Sequence, residues 1–212
     1  MALIIFDFDG VLADTLDDLI RFGQDVCNEL GINHLVNKDD LGNLESMSFA
    51  SFGRACEVPE HLIEEFVQRC LNRFAERKSP PAIFTGLSAI VRNFAINNTL
   101  VIVTTNSTQN VNAFLMEHGL EDCIQAVYGV DIPGSKAQKI SIARTQFSAD
   151  IRREPIFMVG DSLSDMRAAK EASVKSIAVT WGHQSLEHLL RGNPDYVVRF
   201  PRDLIEIINK IA

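Results

Sequence analysis

The chain opens on Leu3-Ile4-Ile5-Phe6, an unbroken apolar run that stops abruptly at Asp7. A short run with no polar alternation predicts a strand buried on both faces, and it leaves a carboxylate at the strand's end. From Thr15 the period changes: Leu16, Leu19, Ile20, Gly23, Cys27 and Leu30 recur at helical spacing, with Gly31 as a stop signal. A second and stronger helical stripe runs through Leu62, Ile63, Phe66, Val67, Cys70, Leu71 and Phe74, and a shorter helical stretch surrounds Phe49 and Phe52. Residues 15–78 therefore predict a block of helices with no strand to pair. Ser79-Pro80-Pro81 ends it, because proline removes a donor and restricts its predecessor.

Beyond the prolines the pattern alternates. Helices are expected over 87–97, 109–118, 136–147, 164–171, 186–190 and 203–211, and strands over 100–103, 126–128, 156–159, 176–180 and 196–198. Short strands separated by helices of this length need crossover connections. The fold class is thus α/β, a doubly wound parallel-sheet Rossmann-like core with ligands expected at the carboxyl ends of the strands. The helical block leaves after the first strand and returns before the second. It is expected as an inserted all-helical cap domain (15–78) over those strand ends, on a core of 1–14 and 79–212. The two connectors, Leu12-Ala13-Asp14 and Ser79-Pro80-Pro81, are expected to permit hinge motion.

Charge and cysteine usage narrow the partners. A formal net charge of −8 leaves no global electrostatic footprint for nucleic acid or an anionic membrane, so an anionic ligand must be met by local charge. The apolar run at the start is far short of the roughly 20 residues that span a bilayer and lacks a signal peptide's basic start, so a cytoplasmic location is expected. Cys27, Cys56, Cys70 and Cys123 include no Cys-x-x-Cys and read as small buried hydrophobes.

Four polar clusters each follow an apolar strand, and such positions converge on one crevice. In Phe6-Asp7-Phe8-Asp9-Gly10, residues two apart on extended chain point the same way, so Asp7 and Asp9 present paired carboxylates. A hairpin turn would need a partner strand where a helix follows. Thr104-Thr105-Asn106-Ser107 precedes a helix and by itself reads as an N-cap. Lys136 and Lys139 stand in the first turn of a helix, the wrong end of the dipole for stability unless one meets an anion. In Gly160-Asp161-Ser162-Leu163-Ser164-Asp165, Ser162 and Asp165 imitate a capping box, while two carboxylates four apart are also the hard oxygen ligands that magnesium prefers.

Taken in order, Asp7 and Asp9, Thr105 and Asn106, Lys136, and Asp161 and Asp165 resemble the motifs of the haloacid dehalogenase superfamily, and within it the phosphoglycolate phosphatase-like hydrolases with a helical cap. Thr180-Trp181-Gly182 is similar to that group's loop after a later strand. Val11 stands where threonine is common, and Ala137 replaces the usual proline, which leaves Lys139 as a rival to Lys136; the spacing to Asp161 favours Lys136. The resemblance implies a Mg²⁺-dependent phosphatase acting on a small phosphorylated metabolite, as a monomer or small homo-oligomer. Asp7 would be the nucleophile that takes the phosphoryl group, and Asp9 the acid and then the base. Mg²⁺ would lie between Asp7, the Asp9 backbone carbonyl and Asp161, with Asp165 acting through a bound water. Thr105 would hold the transferring oxygens with Asn106 beside it on the substrate, and Lys136 would offset their charge.

A phosphosugar mutase of the same superfamily is the nearest alternative, although the histidine expected in its first cap helix is missing between Asp14 and Leu30. A non-enzymatic phosphoaspartate signalling domain is shorter and has no helical insertion. His183, beside Gly182 at a strand end, is the histidine positioned to approach the site. In the cap, Arg54, Ser48 and Ser51 are candidates for touching the leaving group.

Overall fold

The computed structural model describes residues 1–77, 79–147 and 154–211. The expected cap boundary at Lys78 lies outside the described residues. In chain order the elements are β1 (Leu3–Phe6), β2 (Ala13–Asp14), α1 (Leu16–Glu29), α2 (Asp39–Gly42), α3 (Phe49–Ala55), α4 (Ile63–Ala75), β3 (Ala82–Ile83), α5 (Leu87–Ala95) and β4 (Thr99–Val103). They continue with α6 (Thr108–Glu117), β5 (Ala126–Tyr128), α7 (Lys136–Phe147), β6 (Ile156–Gly160), α8 (Leu163–Glu171), β7 (Lys175–Val179), α9 (Leu186–Leu190), β8 (Tyr196–Val198) and α10 (Asp203–Ile211).

Among the described residues, six strands form one sheet in the order β5-β4-β1-β6-β7-β8, every neighbour parallel, with β1 inside between β4 and β6. Because successive side chains alternate faces, β1 feeds two apolar layers: Ile4 and Phe6 pack with Phe94, Phe114 and Leu204 on one side, and Leu3 and Ile5 with Ile140 and Ala169 on the other. That double burial explains why β1 contains no polar position. Residues 15–77 contain no strand and bury a separate cluster built on Val26, Leu41, Phe52, Cys56, Phe66 and Cys70. All four cysteines are free and buried. No helix among the described residues is long and apolar enough to cross a membrane.

The cap is held more firmly than two free connectors would hold it. Ala13 pairs with Ile83 and Asp14 with Ala82, so the outgoing and returning chains form an antiparallel two-stranded ribbon in place of loose linkers. A second attachment lies beyond α2. Gln184 Nε2 donates to Leu44 O (2.6 Å), Ser185 N donates to Gly42 O (3.0 Å), and the His188 ring Nε2 meets Leu44 O (3.0 Å). Glu45 pairs with both Arg167 and Arg191 on the core.

Candidate active site

β1, β4 and β6 run in register, with Phe6 opposite Ile102 and Val159, so the residues that follow them share one rim of the sheet. Asp7 continues the ladder through its N–H to Val159 O (2.9 Å), and its Oδ1 accepts the Phe8 N–H (2.8 Å). The chain then turns tightly: the N–H groups of Leu12 and Ala13 both converge on Phe8 O. Gly10 sits in this turn at φ +76°, and a Cβ there would collide with Asp161 Oδ2 and His183 Nδ1, so both the backbone conformation and the space demand glycine. Gly182 is required for space alone, since a Cβ would overlap the Asp161 side chain.

Asp161, buried at the end of β6, accepts the His183 N–H at Oδ2 (2.7 Å), with His183 Nδ1 at 3.2 Å from the same oxygen. The far ring nitrogen of His183 is 3.1 Å from Thr15 Oγ1. Thr15 precedes α1 but its hydroxyl makes no capping bond there. His183 and Thr15 thus link the acidic rim to the first residue of the cap. Of this pair, the sequence pattern points to His183 as approaching the site but does not reveal Thr15. The clue to Thr15 is a hydroxyl at a helix start whose cap is unused, and the clue to His183 is its place after Gly182.

Asp165 is fully buried and has both oxygens engaged. Oδ2 accepts Ser162 N–H (3.1 Å) and Ser162 Oγ–H (2.6 Å), which completes a capping box, while Oδ1 takes Lys136 Nζ at 2.6 Å. Lys136 Nζ is also 2.9 Å from Asp7 Oδ2, so one ammonium bridges the first and last acidic residues. Lys139 turns away, donating to Gly129 O at 2.7 Å. Of the two rival lysines, the structure brings Lys136 to the rim. Asn106 Nδ2 donates to Asp9 Oδ2 (2.9 Å), which fixes that carboxylate, and Thr105 is exposed on the wall of the adjoining cavity.

Arg54 is not brought there. It pairs with Glu60 through Nε (3.0 Å) and Nη2 (2.6 Å), its side chain is 52% exposed, and it does not line the cavity. Nothing in its surroundings directs it to a leaving group, because the turn between α3 and α4 supplies a carboxylate close by. Ser48 lines the cavity, but Ser51, its hydrogen-bond partner, does not.

Electrostatics sets what the rim can hold. Four carboxylates (Asp7, Asp9, Asp161, Asp165) face one ammonium. Burial, then Asp165 and Asp161, push Asp7 up to about 8 against the lowering influence of Lys136. Burial and Asp165 push Asp161 up to about 7, opposed by the His183 N–H. The Lys136 ammonium is held above its ordinary range by Asp165 and Asp7 in spite of its burial, and burial lowers His183. Oxygens of Asp7, Asp161 and Asp165 lie within 4.8 Å of one another. Buried hard oxygen donors short of positive charge fit a magnesium ion. The Asp9 carboxylate is outside this triad.

A cavity of about 830 Å³ opens between this rim and the underside of the cap. Comparison with known proteins agrees with the geometry. The family model described as haloacid dehalogenase-like hydrolase matches residues 4–179. A phosphoglycolate phosphatase from Synechococcus elongatus is 25% identical, over 100% of this chain and 99% of that protein. Another from Vibrio vulnificus is 27% identical, over 97% and 95%. A solved haloacid dehalogenase-like family protein from Streptococcus pneumoniae superposes with a TM-score of 0.82 at 23% identity, covering 98% of each chain. Because the family match runs unbroken from β1 through β7, and so takes in the cap together with the strand ends that carry the acidic rim, the chain belongs to the haloacid dehalogenase-like hydrolases.

Proposed function

We propose that this hydrolase is a Mg²⁺-dependent phosphatase that cleaves a small phosphate monoester through an aspartyl phosphate on Asp7. The observation that carries the reading is the Lys136 ammonium held between Asp7 and Asp165, beside a triad of buried carboxylates that wants a divalent cation. Relatives named phosphoglycolate phosphatase along the full length support the reaction class.

Asp7 and Asp161 would hold the metal by their side chains and Asp9 by its backbone carbonyl, with Asp165 a buried anchor whose oxygens are already taken by Lys136 and Ser162. When bound, Mg²⁺ supplies the positive charge that lets a phosphate dianion approach the carboxylates and keeps Asp7 ionised. The chain's own residues do the rest. An Asp7 carboxylate oxygen forms a bond to phosphorus while the ester P–O bond breaks. Asp9, oriented by Asn106, delivers its proton to the departing alkoxide. Asp9 then takes a proton from the water that attacks the phosphoryl group, and the Asp7–phosphorus bond breaks to release phosphate. Lys136 offsets the charge on the transferring oxygens, and Thr105 with the adjoining N–H groups positions them. The cap, proposed as a unit spanning residues 15–78, excludes bulk water.

Phosphate release from phenyl phosphate with added Mg²⁺ tests the reading. It should disappear in excess chelator, and rapid quenching should trap a phosphoryl group on Asp7. Full activity in chelator, or turnover without that adduct, would overturn it.

A further inference from the structure

The cavity above the rim has a composition that selects among phosphate esters. Its cap side is apolar: Leu19, Leu41, Phe49, Phe52, Leu71 and Phe74 line it, and the polar groups beside them, Ser46 and Ser48, are neutral. From the core come Gln109 and Asn110, uncharged amides, and Val130. Among the described residues, no lysine or arginine lines it. The titratable side chains on its wall among the described residues are Asp7, Asp9 and Asp161, together with His183, whose ring nitrogens already face Asp161 and Thr15.

Nor is a cation held in reserve among the described cap residues. Arg21 and Arg77 both pair with Asp18, Arg54 with Glu60, Arg69 with Glu29 and Glu65, and Arg73 with Asp25 and Glu29. Lys38 is exposed and outside the cavity. A carboxylate or second phosphate carried into this space would give up its hydration with no positive group to replace it, and would face three acidic side chains. An alkyl or aryl body would instead bury against leucine and phenylalanine.

Resting on the phosphatase reading above, we infer that the substrate is a phosphate monoester of an uncharged alcohol with an apolar or aromatic body, and that this chain has diverged from the anionic leaving group of phosphoglycolate named for its relatives.

The purified full-length protein with Mg²⁺ is assayed for kcat/KM on a series of n-alkyl phosphates from ethyl to hexyl and on 2-phosphoglycolate, all of which expel a primary alkoxide. Acetyl phosphate, which asks little of the cavity, reports the core chemistry. Each added methylene should raise kcat/KM about fourfold, and hexyl phosphate should exceed phosphoglycolate by on the order of 100-fold. Leu71, 45% exposed on the cavity wall, tolerates a polar replacement. Leu71→Lys should lower the hexyl-to-phosphoglycolate ratio about tenfold, through one lost apolar contact and one gained charge pair. A flat alkyl series, phosphoglycolate as the better substrate, or an unmoved ratio in Leu71→Lys would overturn the inference while acetyl phosphate turnover still upheld the phosphatase reading. Failure to hydrolyse acetyl phosphate as well would bring down both.

Discussion

Replacing Lys136 by methionine keeps most of the apolar stem and removes the charge, and two separate losses should follow. In the folded protein the ammonium, 13% exposed, is 2.9 Å from Asp7 Oδ2 and 2.6 Å from Asp165 Oδ1. Removing one side of a buried ion pair costs about 3–5 kcal/mol, because the partners stay buried and uncompensated. The lost transition-state charge should lower kcat by about 10²–10³. Lys139→Met is the control: it removes one of two donors to Gly129 O, which keeps the Ile132 N–H at 3.1 Å, so only one hydrogen bond to a charged group is lost, about 1.5–3 kcal/mol, and kcat should hold. The stability loss should also depend on pH. Asp7 is pushed up to about 8, so between roughly 4 and 8 the folded chain keeps a proton that the unfolded chain has lost, and stability falls as pH rises. Without Lys136 that carboxyl rises further, so the deficit of Lys136→Met against the parent should widen from pH 6 to pH 9. Urea melts without added divalent cation, with kcat on phenyl phosphate at saturating Mg²⁺, measure both. Equal activity losses in the two variants, or a deficit that narrows with rising pH, would refute the reasoning.

Three further outcomes are expected. Asp7→Asn should lower turnover by about 10⁴ or more, since an amide is too poor a nucleophile, while its thermal midpoint without metal at pH 7 should match or exceed the parent's because folding no longer has to take up a proton on a buried carboxyl that the unfolded chain leaves ionised; circular dichroism melts beside phosphate release check both. The Mg²⁺ concentration for half-maximal activity should fall as pH rises from 6 to 8, because the cation displaces protons from Asp7 and Asp161, raised to about 8 and about 7; a half-saturation that is flat across that range would contradict it. Asn106→Ala frees Asp9 Oδ2 from its 2.9 Å donor, so kcat should fall by about 10–100-fold on an alkyl phosphate and much less on acetyl phosphate, whose leaving group needs no proton; an equal loss on both would remove Asn106 from that positioning role.

Much of this was readable in the chain because the physics is local. β1 and β6, and the later residues of β4 and β7, are apolar runs cut off by polar residues, and Asp7 and Asp161 stand at two of those cuts. Ser162 with Asp165 read both as a capping box and as acidic site residues, and the structure makes the box while placing Asp165 against Lys136. What escaped lies in contacts between distant segments or in elements too short to have a period. The ribbon of β2 and β3 has two residues per strand, and α2 has four. The bond from Gln184 to Leu44 joins positions 140 residues apart. Arg54 carried no mark separating a substrate contact from the surface pair it makes with Glu60.

The loop that follows β7 has a consequence for timing. Three consecutive residues of it look in different directions: His183 to Asp161 and Thr15, Gln184 to Leu44 and, by accepting the Leu163 N–H at 2.6 Å, to the start of α8, and Ser185 to Gly42. The acidic rim and the cap's second attachment are therefore read out by one short piece of backbone. Thermodynamic reciprocity then sets one condition: if the cap's grip through this loop tightens ligand binding at the rim, ligand binding tightens that grip by the same free energy. With such coupling, the ligand that the rim holds most tightly would also be the one whose release is slowed most by the clasp.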